Sequence, residues 1–161
     1  MMASIYDTFG SPVGELLVAG DGVALTGLYM QEGPGRVEPD AAWRRARQPF
    51  AAVREQLEEY FAGGRTRFEL RLALAGTEWQ RRVWEALERV PYGKTVSYGE
   101  LAGRLGRPSA ARAMGAANAL NPISIVVPCH RVVGANGALT GYAGGVERKR
   151  FLLALEARAK G

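Results

Sequence analysis

One cysteine and one histidine occur in the 161 residues, and they are neighbours, Cys129 and His130. A thiolate is a nucleophile, and an imidazole within reach is the base that takes the thiol proton, directly or through one water. Together they could attack an electrophilic carbon. A cysteine that follows an apolar run such as 123–127 also reads as a small buried hydrophobe, and the pair alone does not separate these readings. Successive side chains of an extended strand point opposite ways, so joint action requires a tight bend or a bridging water. A single cysteine excludes an internal disulfide, and with a single histidine it cannot complete a zinc site.

The elements that must hold this pair follow from periodicity. Ile5–Phe9, 15–19 and 23–29 are short apolar-rich runs separated by turn residues, the second turn carrying Asp21-Gly22. They predict a small antiparallel sheet. Residues 31–40, with two prolines and two glycines, predict a loop. A helix is expected from Pro49, with Phe50, Val53, Leu57 and Phe61 at helical spacing and Gly63-Gly64 as its stop. Phe68, Leu70, Leu72 and Leu74 occupy alternate positions, the pattern of a half-buried strand. Ala75-Gly76 is the expected boundary between domains 1–75 and 76–161.

Helical signals dominate the second domain. Thr77-Glu78-Trp79-Gln80 and Ser97-Tyr98-Gly99-Glu100 are capping boxes. The first opens a helix striped by Val83, Trp84 and Leu87, and the second a short helix ended by Gly106 and Pro108. Ser109 is the expected cap of the next helix, which runs to about Ala119. Two short helices on a tight turn suggest a helix-turn-helix. From Ala110 to Ala117 only Arg112 and Met114 carry bulk, so this helix can approach either a neighbouring helix or DNA closely. A last helix, from Glu147 to about Ala159, puts Phe151, Leu152 and Leu155 on one side.

Charge is unevenly spread. The chain carries 21 Lys and Arg against 16 Asp and Glu. Residues 1–75 hold 8 basic and 10 acidic side chains, whereas residues 76–161 hold 13 and 6. An excess of cations confined to the second domain suits a phosphate-bearing partner or a solvated basic face. No apolar run is long enough to span a bilayer, and the N-terminus lacks the basic and apolar regions of a signal peptide. A cytoplasmic protein is expected.

Val127-Pro128-Cys129-His130-Arg131-Val132-Val133 resembles the signature of the alkylguanine-DNA alkyltransferases, the methylated-DNA–protein-cysteine methyltransferases. The resemblance covers 77–156 and takes in Pro91-Tyr92-Gly93, Ser97-Tyr98-Gly99, Ala111-Arg112-Ala113, Asn121-Pro122, Gly141-Tyr142 and Gly144-Gly145. It implies an α+β protein: a small RNase H-like antiparallel-sheet domain followed by a mostly helical winged helix-turn-helix domain. Direct DNA repair is the implied activity, with an alkyl group, mainly methyl, moved irreversibly from the exocyclic oxygen of guanine (thymine being a further candidate) to the protein's own cysteine. No cofactor and no metal are implied. The implied partner is double-stranded DNA containing alkylated guanine, met by a monomer in the cytoplasm or on the nucleoid, with cooperativity along DNA left open.

Residue by residue, the resemblance makes Cys129 the alkyl acceptor, His130 its base through a bound water, and Glu156 the group that orients His130. Asn121 braces the active-site turn, and Tyr98 donates to the departing guanine. Arg112 fills the stack left by the flipped nucleotide, while Ala111, Ala113, Gly115 and Ser97 complete the DNA-binding surface. Tyr142, Val132, Ser124, Ala143 and Lys149 form the substrate pocket, with 134–142 as the wing beside it. Ser124 and Ala143 stand where other members carry proline and serine, and the zinc ligands that some members carry in the first domain are missing. Two other functions fit the bare residues: a winged-helix lesion sensor whose cysteine is only structural, and a cysteine hydrolase acting on small acyl substrates.

Overall fold

The strand Leu16–Gly20 (β2) is buried along its whole length, because it runs between two neighbours inside a four-stranded sheet. In the computed structural model, which describes residues 3–160, the strand order is β3-β2-β1-β4. Met1, Met2 and Gly161, the outermost residues of the two expected domains, lie outside the described residues. β1 is Ile5–Phe9 and β3 is Leu25–Met30, both antiparallel to β2. Asp21 Oδ1 accepts from the Val23 and Ala24 amides, both at 2.8 Å, a side-chain-closed turn that delays β3 to Leu25. The two-residue β4, Arg44–Arg45, joins β1 in parallel. Its sequence has no apolar alternation, and nothing in it signals a strand.

A short 3₁₀ turn at Gln48–Phe50 leads into α1, Ala51–Phe61. Its buried stripe is Phe50, Val53, Leu57 and Tyr60. The expected fourth member, Phe61, is only half-buried; Tyr60 is at zero exposure in its place. The expected strand 68–74 reduces to a single bridge, Leu25↔Leu72. The free edge of β3 is shared: Leu25 bonds to Arg71 and Ala73, while Leu28 receives and donates bonds to Ser124 and Pro122, at 3.1 and 2.8 Å. A segment from the second half thus covers the remaining edge of β3 and leaves 68–74 no continuous partner.

Beyond Gly76 come α2 (Glu78–Glu88), β5 (Val96–Ser97), α3 (Tyr98–Arg104), α4 (Ala111–Ala119), β6 (Val132–Val133) and α5 (Val146–Lys160). Both capping boxes form: the Gln80 amide donates to Thr77 Oγ1 and the Glu100 amide to Ser97 Oγ, each side chain answering at the cap. Ser109 does not cap α4. The chain leaves α3 through Gly106 at φ +77° and closes a further turn, Ala110 N to Arg107 O. The helix then starts after Ala110 with no side-chain cap. On α5 the buried residues are Lys149, Leu152, Leu155 and Glu156. Phe151, expected beside the leucines, is 37% exposed, because its position falls one residue off that stripe. One core cluster runs through both halves, from Leu16 and Leu28 to Trp84, Ile123 and Leu152. Among the described residues no helix is long and apolar enough to cross a membrane.

Candidate active site

The apolar run before the cysteine is not a strand. After its bridge to β3 at Ile123, the chain turns tightly, and Ile125 sits at φ +72°. A β-branched residue there is strained, and the turn is held by Asn121. Its Nδ2 donates to Val127 O at 2.8 Å and its Oδ1 accepts from the Ile123 amide at 3.0 Å. A 3₁₀ turn, Cys129–Arg131, follows at once. It is a bend of the kind that joint action of neighbouring side chains requires. Asn118, on α4, reaches the same turn, its Nδ2 3.5 Å from Cys129 O.

α5 supplies the opposite wall. Lys149, Leu152 and Glu156 stand three and four residues apart and therefore on one face. Cys129 is 3% exposed, His130 0% and Glu156 1%. His130 Nε2 lies 2.7 Å from Glu156 Oε2. Arg131 grips the same carboxylate with two bonds, Nε to Oε1 at 2.8 Å and a terminal nitrogen to Oε2 at 3.0 Å, and its other terminal nitrogen donates to Val90 O. Tyr60, from α1, donates to Oε2 at 2.6 Å, and the Gly93 amide approaches Oε1 at 3.4 Å. A buried carboxylate needs this many donors to stay charged.

The electrostatics follow from burial and these partners. Burial pushes the Cys129 thiol up, opposed by Asn121, Lys149 and Tyr142, so the resting group is a thiol that needs a base. Burial lowers His130, against the pull of Glu156 and with help from Arg131 and Lys149. Burial works to raise Glu156, yet His130 and Arg131 outweigh it and hold the carboxyl well below its usual range. With an ionised Glu156 accepting only, a neutral His130 must carry its proton on Nε2. Nδ1 is then the basic nitrogen, and it has no hydrogen-bond partner among the described residues. The Tyr142 hydroxyl is buried, has no hydrogen-bond partner among the described residues and faces the Cys129 thiol. Lys149 is fully buried, 3.5 Å from Thr140 O.

The helix pair carries the remaining expected residues. Trp79 and Trp84 of α2 dock α4 by donating to Ala113 O at 3.2 Å and Ala117 O at 2.9 Å. Arg112 and Ala113 face solvent, Ala111 is half-buried, and Gly115 lies against the Tyr98 ring. Tyr98 Oη meets Thr140 Oγ1 at 2.6 Å, joining the start of α3 to the loop 134–145. Ser97 caps α3 and pairs with Val133. Ser124 and Ala143 line a cleft of about 250 Å³ with Met30 and Asn121. Val132 is buried in β6, away from solvent. No cluster of three or more His, Cys, Asp or Glu side chains suits a metal among the described residues.

The family model described as 6-O-methylguanine DNA methyltransferase, DNA binding domain, matches residues 78–158, and that for the ribonuclease-like domain of the same proteins matches 4–74. The chain belongs to the 6-O-methylguanine DNA methyltransferase family. A methylated-DNA–protein-cysteine methyltransferase of Mycolicibacterium paratuberculosis is 54% identical over 95% of this chain and 92% of its own. One of Methanosarcina acetivorans is 49% identical over 94% and 97%. The crystal structure of Mycobacterium tuberculosis OGT in complex with DNA superposes with a TM-score of 0.91 at 50% identity, covering 96% of this chain and 94% of that one. The expected fold class, an RNase H-like sheet domain and a helical DNA-binding domain, agrees with these matches.

Within this candidate site, sequence reasoning assigned no role to Tyr60, Arg131, Asn118 or Gly93. For Tyr60 a signal existed: it falls at i+7 from Val53 on a stripe that ends in a hydroxyl. Glu156 and Lys149 likewise carry charge on an otherwise apolar helix face, which demands a buried partner. No local pattern marks Arg131 or Asn118, because their partners lie on other elements.

Proposed function

We propose that this chain is a single-turnover methylated-DNA–protein-cysteine S-methyltransferase that repairs O6-alkylguanine in double-stranded DNA by moving the alkyl group to Cys129. The observation that carries the reading is the buried Cys129–His130 turn with Glu156 bonded to the histidine. The Cys129 proton passes through a water to His130 Nδ1, and Glu156 stabilises the imidazolium that forms. Sulfur then bonds to the alkyl carbon as the carbon–oxygen bond breaks, and the electron pair stays on the guanine oxygen. Tyr98 donates a hydrogen bond as that charge develops, and the proton ultimately returns to guanine. A thioether has no hydrolysable bond, so each molecule reacts once.

A stacked guanine cannot reach a thiol that is 3% exposed, so the base must leave the helix, at a few kcal/mol of lost stacking. α4 is the element that meets the minor groove, with Ala111, Ala113 and Gly115 allowing close approach and Arg112 filling the gap. Ser97 completes that surface, while Tyr142, Ser124, Ala143, Val132 and Lys149 shape the base pocket. We take 1–75 as the supporting domain and 76–161 as the DNA-binding and catalytic domain. The protein acts as a monomer in the cytoplasm, associating with the nucleoid when it binds DNA.

Intact-protein mass spectrometry after incubation with a duplex holding one O6-methylguanine tests this. One added methyl on Cys129, saturating at one per protein, is expected; unchanged mass with DNA bound would leave a lesion sensor instead. Arg112→Ala is expected to slow repair in duplex at least tenfold while reaction with free O6-methylguanine keeps its rate. Equal losses on both substrates would remove the stack-filling role.

A further inference from the structure

We infer that Tyr60, contributed by α1 of the sheet domain, is a positioning residue for alkyl transfer, setting through Glu156 how strongly His130 acts as a base. This rests on the His130–Glu156 relay proposed above. Oε2 of Glu156 is a shared acceptor: Tyr60 Oη at 2.6 Å, His130 Nε2 at 2.7 Å and an Arg131 nitrogen at 3.0 Å all donate to it. With Arg131 Nε and the Gly93 amide on Oε1, the carboxylate has about as many donors as it has lone pairs. Donors on one oxygen compete. The tighter the phenol holds Oε2, the less negative charge is left to stabilise imidazolium at His130.

Three features suit Tyr60 to that task. Its ring is gripped edge-on by Phe61 at 5.3 Å and Tyr92 at 6.2 Å and lies tilted against Phe68 at 5.5 Å, so the hydroxyl has one place to point. It is at zero exposure, so no water substitutes for it. Burial and the Glu156 charge push its own proton loss far beyond the ordinary tyrosine range, so it remains a donor at every working pH. The arrangement also ties the second domain to the first, because one donor to the Glu156 carboxylate comes from α1.

The charged groups acting on the histidine are Glu156 and Lys149 on α5 and Arg131 in its own turn; Tyr142, from the loop before α5, acts on Cys129, and Tyr60 on α1 and Tyr92 in the 91–94 turn lie beside Glu156. Removing the Tyr60 hydroxyl leaves all the others in place. Tyr60→Phe should therefore raise the histidine's titration midpoint by about half a unit. On the acid limb, transfer from free O6-methylguanine should then be about threefold slower. His130 is the only histidine, so nitrogen-15 NMR of histidine-labelled protein reads the midpoint directly. 3-Fluorotyrosine at position 60 keeps the ring and strengthens the donor, and should move the midpoint down.

A purely structural Tyr60 would alter melting temperature but neither midpoint nor acid limb, and that result would overturn the inference. The effect should vanish when Tyr60→Phe is made on Glu156→Gln; a shift that persists there would equally overturn it. Glu156→Gln with an undiminished transfer rate would instead remove the relay itself, an outcome distinct from a Tyr60 variant that is silent while Glu156→Gln is slow.

Discussion

Cys129→Ala protein incubated with a duplex carrying one O6-methylguanine is expected to gain no mass while holding that duplex with near-normal affinity. The loss is complete rather than graded, because the deleted atom is the one that forms the new bond. No other thiol exists in the chain to replace it. Affinity survives because the side chain is 3% exposed, beneath the surface that α4 presents. Removing one sulfur from a packed site costs about 1 kcal/mol of stability, too little to unfold an ordinary domain. A methyl found on any other residue at the wild-type rate would end the assignment of Cys129 as acceptor. Cys129→Ser probes the neighbouring question: a hydroxyl paired with the same base should fall below detectable transfer, since the alcohol proton is far harder to remove than the thiol proton.

Glu156→Gln should damage both chemistry and stability. The amide cannot balance the buried Arg131 guanidinium, which now keeps only its bond to Val90 O and a weakened pair at position 156. Leaving one partner of a buried pair uncompensated costs about 3–5 kcal/mol, readable as a lower denaturant midpoint. Transfer should slow by roughly a hundred- to ten-thousand-fold, the usual contribution of an oriented base. A variant with wild-type rate would show that His130 needs no anion behind it.

The same groups set the acid sensitivity of the wild type. Glu156 in the folded protein lies below its ordinary value of 4.5, and His130 below 6.5. Both are depressed, so the unfolded chain binds more protons in those ranges and stability rises with pH. The His130 contribution is present above about 6.5 and is lost as pH falls toward its folded value; the Glu156 contribution goes below about 4.5. Denaturation midpoints that stay level from about pH 7 to about pH 5 would contradict the His130 direction, and midpoints level from about pH 4.5 down to about pH 2.5 the Glu156 direction. Glu156→Gln should flatten the lower part of that profile, because its carboxyl is gone.

Most of the residues proposed to meet DNA or perform transfer lie in short local patterns, and such patterns are legible one residue after another. The Pro128–Val133 motif, both capping boxes, the small-residue helix with its single arginine and the basic second half all concern neighbours in the chain. Their physics is local too: a cap answers an amide three residues on, and a helix face repeats every three or four positions. The hairpin strands β1 and β2 are legible for the same reason, within a residue at each end.

Other features depend on partners that are distant in sequence. The two arginines of β4 become a strand only because β1 offers an edge 39 residues earlier, Ile5 to Arg44. The alternating 68–74 segment fails to become one because Leu28 is already paired with 122–124. Tyr60 and Glu156 are 96 residues apart, and Arg131 and Val90 are 41. No periodicity along the chain encodes such pairs, since each is chosen by which buried polar groups the packed core leaves to satisfy one another. Residue types and spacing therefore offer Cys129 as a candidate that the family signature singles out, whereas the donors that hold Glu156 emerge only once the sheet domain closes on α5.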